Sequence, residues 1–121
     1  MAEGFANKYG SDVLIARSAG LSPVPSIVKE TVAIMDELNV DVSKHVPMPY
    51  DPFGADQYDI VVNMSGFRLP GKQPKELLEW KVQDPYLNSA EVYRKIRGDI
   101  EERVMQLILR LRREQTRQKK V

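Results

Sequence analysis

The hydrophobic positions change period along the chain, and each period predicts an element. Ala2, Phe5, Ala6 and Tyr9 recur at helical spacing and Gly10 ends the run, which predicts a helix from Met1 to Tyr9. Within Asp12–Ser18, Val13-Leu14-Ile15-Ala16 is apolar on both faces, the pattern of a buried parallel strand. Ser18-Ala19-Gly20 forms its exit loop, and Ser22-Pro23-Val24-Pro25 lengthens it. Ser26 is placed to cap a helix over Ile27–Leu38, whose apolar face is Ile27, Val28, Val32, Ile34, Met35 and Leu38. Asn39 suits a left-handed C-terminal position after it.

Pro47, Pro49 and Pro52 exclude a regular helix or central strand from Val40–Gly54. His45 reads as loop packing in that segment. Tyr50 and Phe53 are either loop residues or the wall of a pocket. Tyr58–Met64 carries the strongest strand signal, centred on the β-branched run Ile60-Val61-Val62. Ser65-Gly66 ends it, Phe67–Gln73 reads as loop, and Pro74–Glu79 as one helical turn. Trp80–Tyr86 then reads as a short strand running into an acidic turn.

A last helix follows, capped by Asn88 with Glu91 three residues on. Val92, Ile96, Ile100, Val104, Leu107 and Leu111 form its apolar stripe. Arg94, Lys95, Arg97, Glu101, Glu102 and Arg103 form its solvated face. Residues from about Arg110 are strongly basic and read as a frayed tail, so the expected division is a domain over 1–112 and a tail over 113–121.

Helices alternating with short apolar strands predict an α/β fold with a parallel sheet covered on both faces. Ligand crevices in such sheets lie beyond the carboxyl ends of the strands. Asp84 is expected there, held extended by Pro85, and is the leading candidate for proton transfer. Asp-Pro is also an ordinary turn and helix-start signal.

Composition narrows the chemistry. The 121 residues are 42% hydrophobic, enough for one core, and 18 basic against 17 acidic residues leave a net charge of +1. That balance provides no global field for nucleic acid or a membrane surface, and no aromatic platform interleaves the basic tail. The chain has no cysteine and one histidine, so thiolate and histidine-cluster metal sites are excluded within it, as is a cysteine nucleophile. No metal or cofactor is expected. No apolar run approaches the roughly 18 residues of a membrane span, and a cytoplasmic protein is the expectation.

Four segments taken in order resemble one superfamily. They are Met1-Ala2-Glu3-Gly4-Phe5, Ser18-Ala19-Gly20-Leu21, Tyr58–Met64, and Trp80–Tyr86 with its long helix. The superfamily comprises the low-molecular-weight protein tyrosine phosphatases and the related thioredoxin-coupled arsenate reductases. The resemblance implies a flavodoxin-like three-layer fold with a four-stranded parallel sheet in the order 2-1-3-4. In that family the run similar to Met1-Ala2-Glu3 follows a first strand and a Cys-x5-Arg-Ser-Pro phosphate loop. Neither the strand nor the loop is present in residues 1–121, so the expected start is either internal to a longer chain or a genuine truncation.

The same resemblance makes Asp84 the general acid, Tyr86 the aromatic wall beside a substrate ring, and Ser18 a residue behind the phosphate loop. It implies a phosphatase lineage, inactive over residues 1–121 because nucleophile and loop are absent. A phosphotyrosine-type substrate is expected only with the missing part in place. The alternatives are a non-catalytic binding or dimerisation module and an arsenate reductase-like protein. The last is disfavoured because Ser65–Pro74 lacks the two further cysteines of the thioredoxin-coupled reductases. An unfilled strand position would leave backbone groups unpaired, at roughly 1–3 kcal/mol each. The gap is therefore expected to close, by direct pairing of the Val13 and Ile60 strands or by a strand of another chain, as in a homodimer through exposed edges.

Overall fold

The computed structural model describes residues 1–21, 28–83 and 88–119, with side chains through residue 116. In chain order the elements are α1 (Ala2–Tyr9), α2 (Lys29–Asp36), a single 3-10 turn (Ala55–Gln57), β1 (Val61–Asn63), β2 (Leu77–Glu79) and α3 (Ala90–Lys119). The architecture is α/β, with a parallel β1–β2 pair in the register Val61↔Leu77, Val62↔Leu78, Asn63↔Glu79.

One continuous core forms where α1 and α2 pack on α3. Phe5, Met35, Val40, Val42, Ile96, Ile100, Val104 and Ile108 are buried together in it. Phe5 and Tyr9 stack at 6.0 Å between ring centroids, one turn apart on α1. Gly4 lets α1 approach the Val40–Val42 segment. A Cβ there would lie 2.9 Å from Val42 Cγ1 and 3.0 Å from Val40 Cγ1. Asn39 takes the left-handed conformation expected of it (φ 59°), and Lys8 Nζ donates to the carbonyls of Leu38 and Asn39 at 3.0 and 2.7 Å. That cation neutralises the carbonyl end of α2 and ties it to α1.

Several elements differ from the sequence expectation. α2 is shorter than Ile27–Leu38, and Ser26, its expected cap, lies outside the described residues. The helical turn expected at Pro74–Glu79 is replaced by β2, three residues ahead of the strand expected at Trp80. A lone helical turn fixes several dihedrals for one hydrogen bond. Pairing with β1 gives the same residues ladder bonds, closed by Val61 N–H to Glu76 O (2.9 Å) and Trp80 N–H to Asn63 O (3.0 Å). The α3 cap is Ser89, whose Oγ accepts from Val92 N–H at 3.4 Å, rather than Asn88. The buried stripe of α3 runs through Tyr93, Ile96, Ile100, Val104 and Ile108, so Ile108 takes the place expected for Leu107.

The Val13 strand does not form. Val13 and Leu14 N–H both turn back to Gly10 O at 3.0 Å, and residues 14–19 join no ladder. The sheet-like contact of this segment is an isolated parallel bridge, Gly20↔Pro49. Ile15, apolar and expected inside, is 87% exposed. In place of a neighbouring strand, the Asn7 amide meets this segment edge-on. Its Oδ1 accepts from Ala16 N–H (3.2 Å) and its Nδ2 donates to Ala16 O (3.4 Å). Direct closure of the sheet by pairing the Val13 and Ile60 segments is thus overturned. Among the described residues β1 has one strand neighbour, β2, and its other edge is unpaired.

The basic stretch from Arg110 is helical as far as it is described. α3 continues to Lys119. Arg110 forks onto Glu76 with two bonds of 2.6 Å and reaches Glu114. Arg112 grips Asp12 at 2.9 and 3.0 Å and donates to Tyr9 O at 2.8 Å. Arg94 and Arg97, expected on the solvated face, both clamp Glu37, and Arg97 also donates to Ile34 O at 2.9 Å. Among the described residues no helix is long and apolar enough to cross a membrane.

Candidate functional site

A groove of about 1110 Å3 opens at the carboxyl ends of β1 and β2. Met64 and Ser65, which follow β1, and Val82 and Gln83, which lie just past β2, form one wall. The first turn of α1 (Met1, Ala2, Glu3, Gly4), together with Ser18 and the Val40–Val42 and Lys44–His45 segments, forms the other. Tyr93 and Ile100 of α3 also line it.

The position follows from the fold. β1 and β2 run parallel, so their carboxyl ends share one rim, and α1 presents its amino end to that rim. The first intrahelical bond of α1 runs from Phe5 N–H to Met1 O at 3.1 Å, so the amides of residues 2–4 have no acceptor inside the helix. Such an end attracts anions. Burial lowers the basicity of the Met1 amino group beside it, and the Glu3 carboxylate partly opposes that shift.

The loop after β1 is fixed by Asn63, a buried polar residue at 6% exposure. Its Oδ1 accepts from Ser65 N–H (3.0 Å) and Ser65 Oγ–H (2.7 Å), and its Nδ2 donates to Phe67 O (2.7 Å). Gly66, at φ 79°, allows the reversal this closed ring requires. The strand-side wall is therefore held by a satisfied polar network at the strand end.

Of the residues singled out in the sequence, Ser18 lies on the groove, with its hydroxyl donating to Glu3 Oε2 at 2.9 Å. Asp84 and Tyr86 lie outside the described residues; Val82 and Gln83, two of the three residues before Asp84, line the groove. His45 departs from its expectation as loop packing. Its Nδ1 lies 2.9 Å from Glu3 Oε2 and its Nε2 3.4 Å from Ser18 Oγ, on the groove wall. Glu3, Ser18 and His45 are scattered in sequence, and no local pattern joins them. Tyr50 and Phe53 do not line the groove. Phe53 is 72% exposed, and Tyr50 keeps a buried hydroxyl without a partner among the described residues. Among the described residues no cluster of three or more His, Cys, Asp or Glu is arranged to hold a metal ion.

A parallel sheet with a crevice at its carboxyl rim and a helix amino end beside it defines an α/β protein of flavodoxin-like type. No protein-family model matches the chain. A relative from Synechocystis sp. described as glutaredoxin arsenate reductase is 35% identical over 115 residues, spanning 92% of this chain and 87% of its own length. A solved arsenate reductase in its oxidized state superposes with a TM-score of 0.81 at 33% identity, covering 91% of this chain and 86% of that one. The arsenate reductase of Archaeoglobus fulgidus, at 24% identity and a TM-score of 0.73 over 88% of this chain and 86% of its own, shares the fold. The chain belongs to the arsenate reductase family, within the superfamily it shares with the low-molecular-weight phosphatases. The phosphatase lineage favoured by the sequence gives way to the reductase branch. The cysteines lacking from Ser65–Pro74 argued against reduction only if the electrons had to come from within the chain.

Proposed function

We propose that residues 1–121 form the body of an arsenate reductase-type enzyme, with the groove as the seat of its oxyanion site. The observation that carries this reading is the convergence of the α1 amino end, the carboxyl ends of β1 and β2, and Val82-Gln83 on one cavity. Reducing arsenate to arsenite consumes two electrons and two protons. Residues 1–121 contain no thiol, so the nucleophile and the electrons come from polypeptide outside them and from a thiol donor. The name of the Synechocystis relative pairs arsenate reduction with glutaredoxin, a donor class that suits a body without cysteines.

Residues 1–121 then contribute four functions. The free amides of α1 attract the oxyanion. Asp84, by its resemblance to the family acid, handles the proton of the departing oxygen. The unpaired edge of β1 beside the groove accepts an extended strand that brings the thiol and its phosphate-type loop. Tyr86 would wall the site by the same resemblance.

The test uses residues 1–121 alone, and again with a synthetic peptide made of an apolar strand followed by a Cys-x5-Arg loop. Glutathione and glutaredoxin serve as donors. The expected result is no turnover of arsenate or aryl phosphate by residues 1–121 alone, and arsenate reduction in the mixture. Asp84→Asn should lower it by roughly 10²–10⁴-fold. Aryl phosphate hydrolysis without arsenate reduction would restore the phosphatase reading.

The same free edge supports a second reading, in which another copy of this chain occupies the groove and the protein is a non-catalytic dimer. A mass by light scattering that rises with concentration, with no response to the peptide, would favour it.

A further inference from the structure

Glu3, Ser18 and His45 come from three separate pieces of the groove wall: α1, the segment following it, and the loop after α2. Glu3 Oε2 accepts the Ser18 hydroxyl at 2.9 Å and lies 2.9 Å from His45 Nδ1, while His45 Nε2 lies 3.4 Å from Ser18 Oγ. Counting protons shows what this ring requires. A hydroxyl has one proton, and the shorter of its two contacts, 2.9 Å against 3.4 Å, assigns that proton to Glu3. Nδ1 must carry a proton to meet the carboxylate. Nε2 then faces a hydroxyl oxygen whose proton is already used, and an attractive contact requires a proton on Nε2 as well. The ring is closed only around an imidazolium. When one proton leaves, Nε2 becomes an acceptor, and the Ser18 hydroxyl can satisfy it only by turning away from Glu3.

We infer that Glu3, Ser18 and His45 form a proton-operated clasp: the imidazolium ties the three wall segments together, and loss of the Nε2 proton redirects the Ser18 hydroxyl and loosens its tie to α1. The inference is independent of which oxyanion chemistry the groove performs. The other charged groups on the groove are the Met1 amino group and Lys8 on α1, and Asp41 and Lys44 on the histidine's own loop. Asp41 is engaged by Ser43 N–H and Oγ–H at 2.9 and 2.6 Å, and Lys8 by the end of α2. Tyr93 is the titratable group from α3, and the strand-side wall of Met64, Ser65, Val82 and Gln83 has none among the described residues. Glu3 is thus the charged partner in direct contact with the ring.

His45 is the only histidine in the chain, so nitrogen-15 NMR of the intact protein reads it without ambiguity. The clasp predicts a neutral ring protonated on Nδ1 and bare on Nε2, with the Ser18 amide signal following the ring titration. Ser18→Thr, which keeps the hydroxyl, should preserve both the tautomer and the coupling, and Ser18→Ala, which leaves Glu3 facing Nδ1, should keep the Nδ1 proton but uncouple the residue-18 amide signal from the ring titration. A wild-type neutral ring carrying its proton on Nε2, or a Ser18 signal that stays flat through the ring titration, would overturn the inference. Both are read on the unaltered protein, so neither depends on a variant folding.

Discussion

Glu37 shows how much a single side chain can tie together. Arg94 and then Arg97 donate to its carboxylate, the closest contact being 2.6 Å, and hold its carboxyl down to about 2 from an ordinary 4.5. The folded form therefore binds fewer protons than the unfolded chain between those values. The clamp's contribution is fully present above about pH 4.5 and is lost as pH falls towards 2. Glu37→Gln should flatten that part of the acid-unfolding profile, measured by urea denaturation at stepped pH, and leave the slope near neutrality unchanged. Gly4 makes a second residue-scale prediction. An added Cβ meets the two valines of the Val40–Val42 segment at 3.0 Å or less, so Gly4→Ala should cost roughly 1–3 kcal/mol, read from the denaturant midpoint. A neutral outcome would show that α1 is free to move away from that segment.

At the scale of elements, α3 organises the molecule. It buries Tyr93, Ile96, Ile100, Val104 and Ile108 along one face and reaches Glu76 and Asp12 through Arg110 and Arg112. Ile108→Ala should cost about 2–5 kcal/mol, as large-to-small changes at fully buried sites do. Leu111→Ala, in the stripe expected from sequence but only half buried, should cost less; equal costs would contradict the observed stripe. The helices were legible in the sequence because a repeat near four residues survives small errors of register. Leu107 and Ile108 both fit that period, and only packing separates them, burying Ile108. The strands were less legible. Val13-Leu14-Ile15-Ala16 has the composition of a buried strand, but a strand is defined by its neighbour, and among the described residues no strand lies beside it. Leu77-Leu78 had the reverse problem: weak β propensity, overridden by pairing with β1.

For the whole molecule, the groove follows from the parallel sheet and its unpaired edge. The position of a crevice at the strand ends could be anticipated from the strand–helix alternation. The wall made by Glu3, Ser18 and His45 could not, because residues up to 42 apart meet there only in the folded chain. The proposed function makes the groove an oxyanion site, and since residues 1–121 contain no thiol, it makes a strand-plus-loop peptide the expected occupant. The most direct test is to map the strand-plus-loop peptide onto isotope-labelled residues 1–121 by amide and methyl shifts. The account predicts saturable changes concentrated at Met64, Val82, Val42 and the first turn of α1. Changes confined to the far end of α3, or none at saturating peptide, would contradict it.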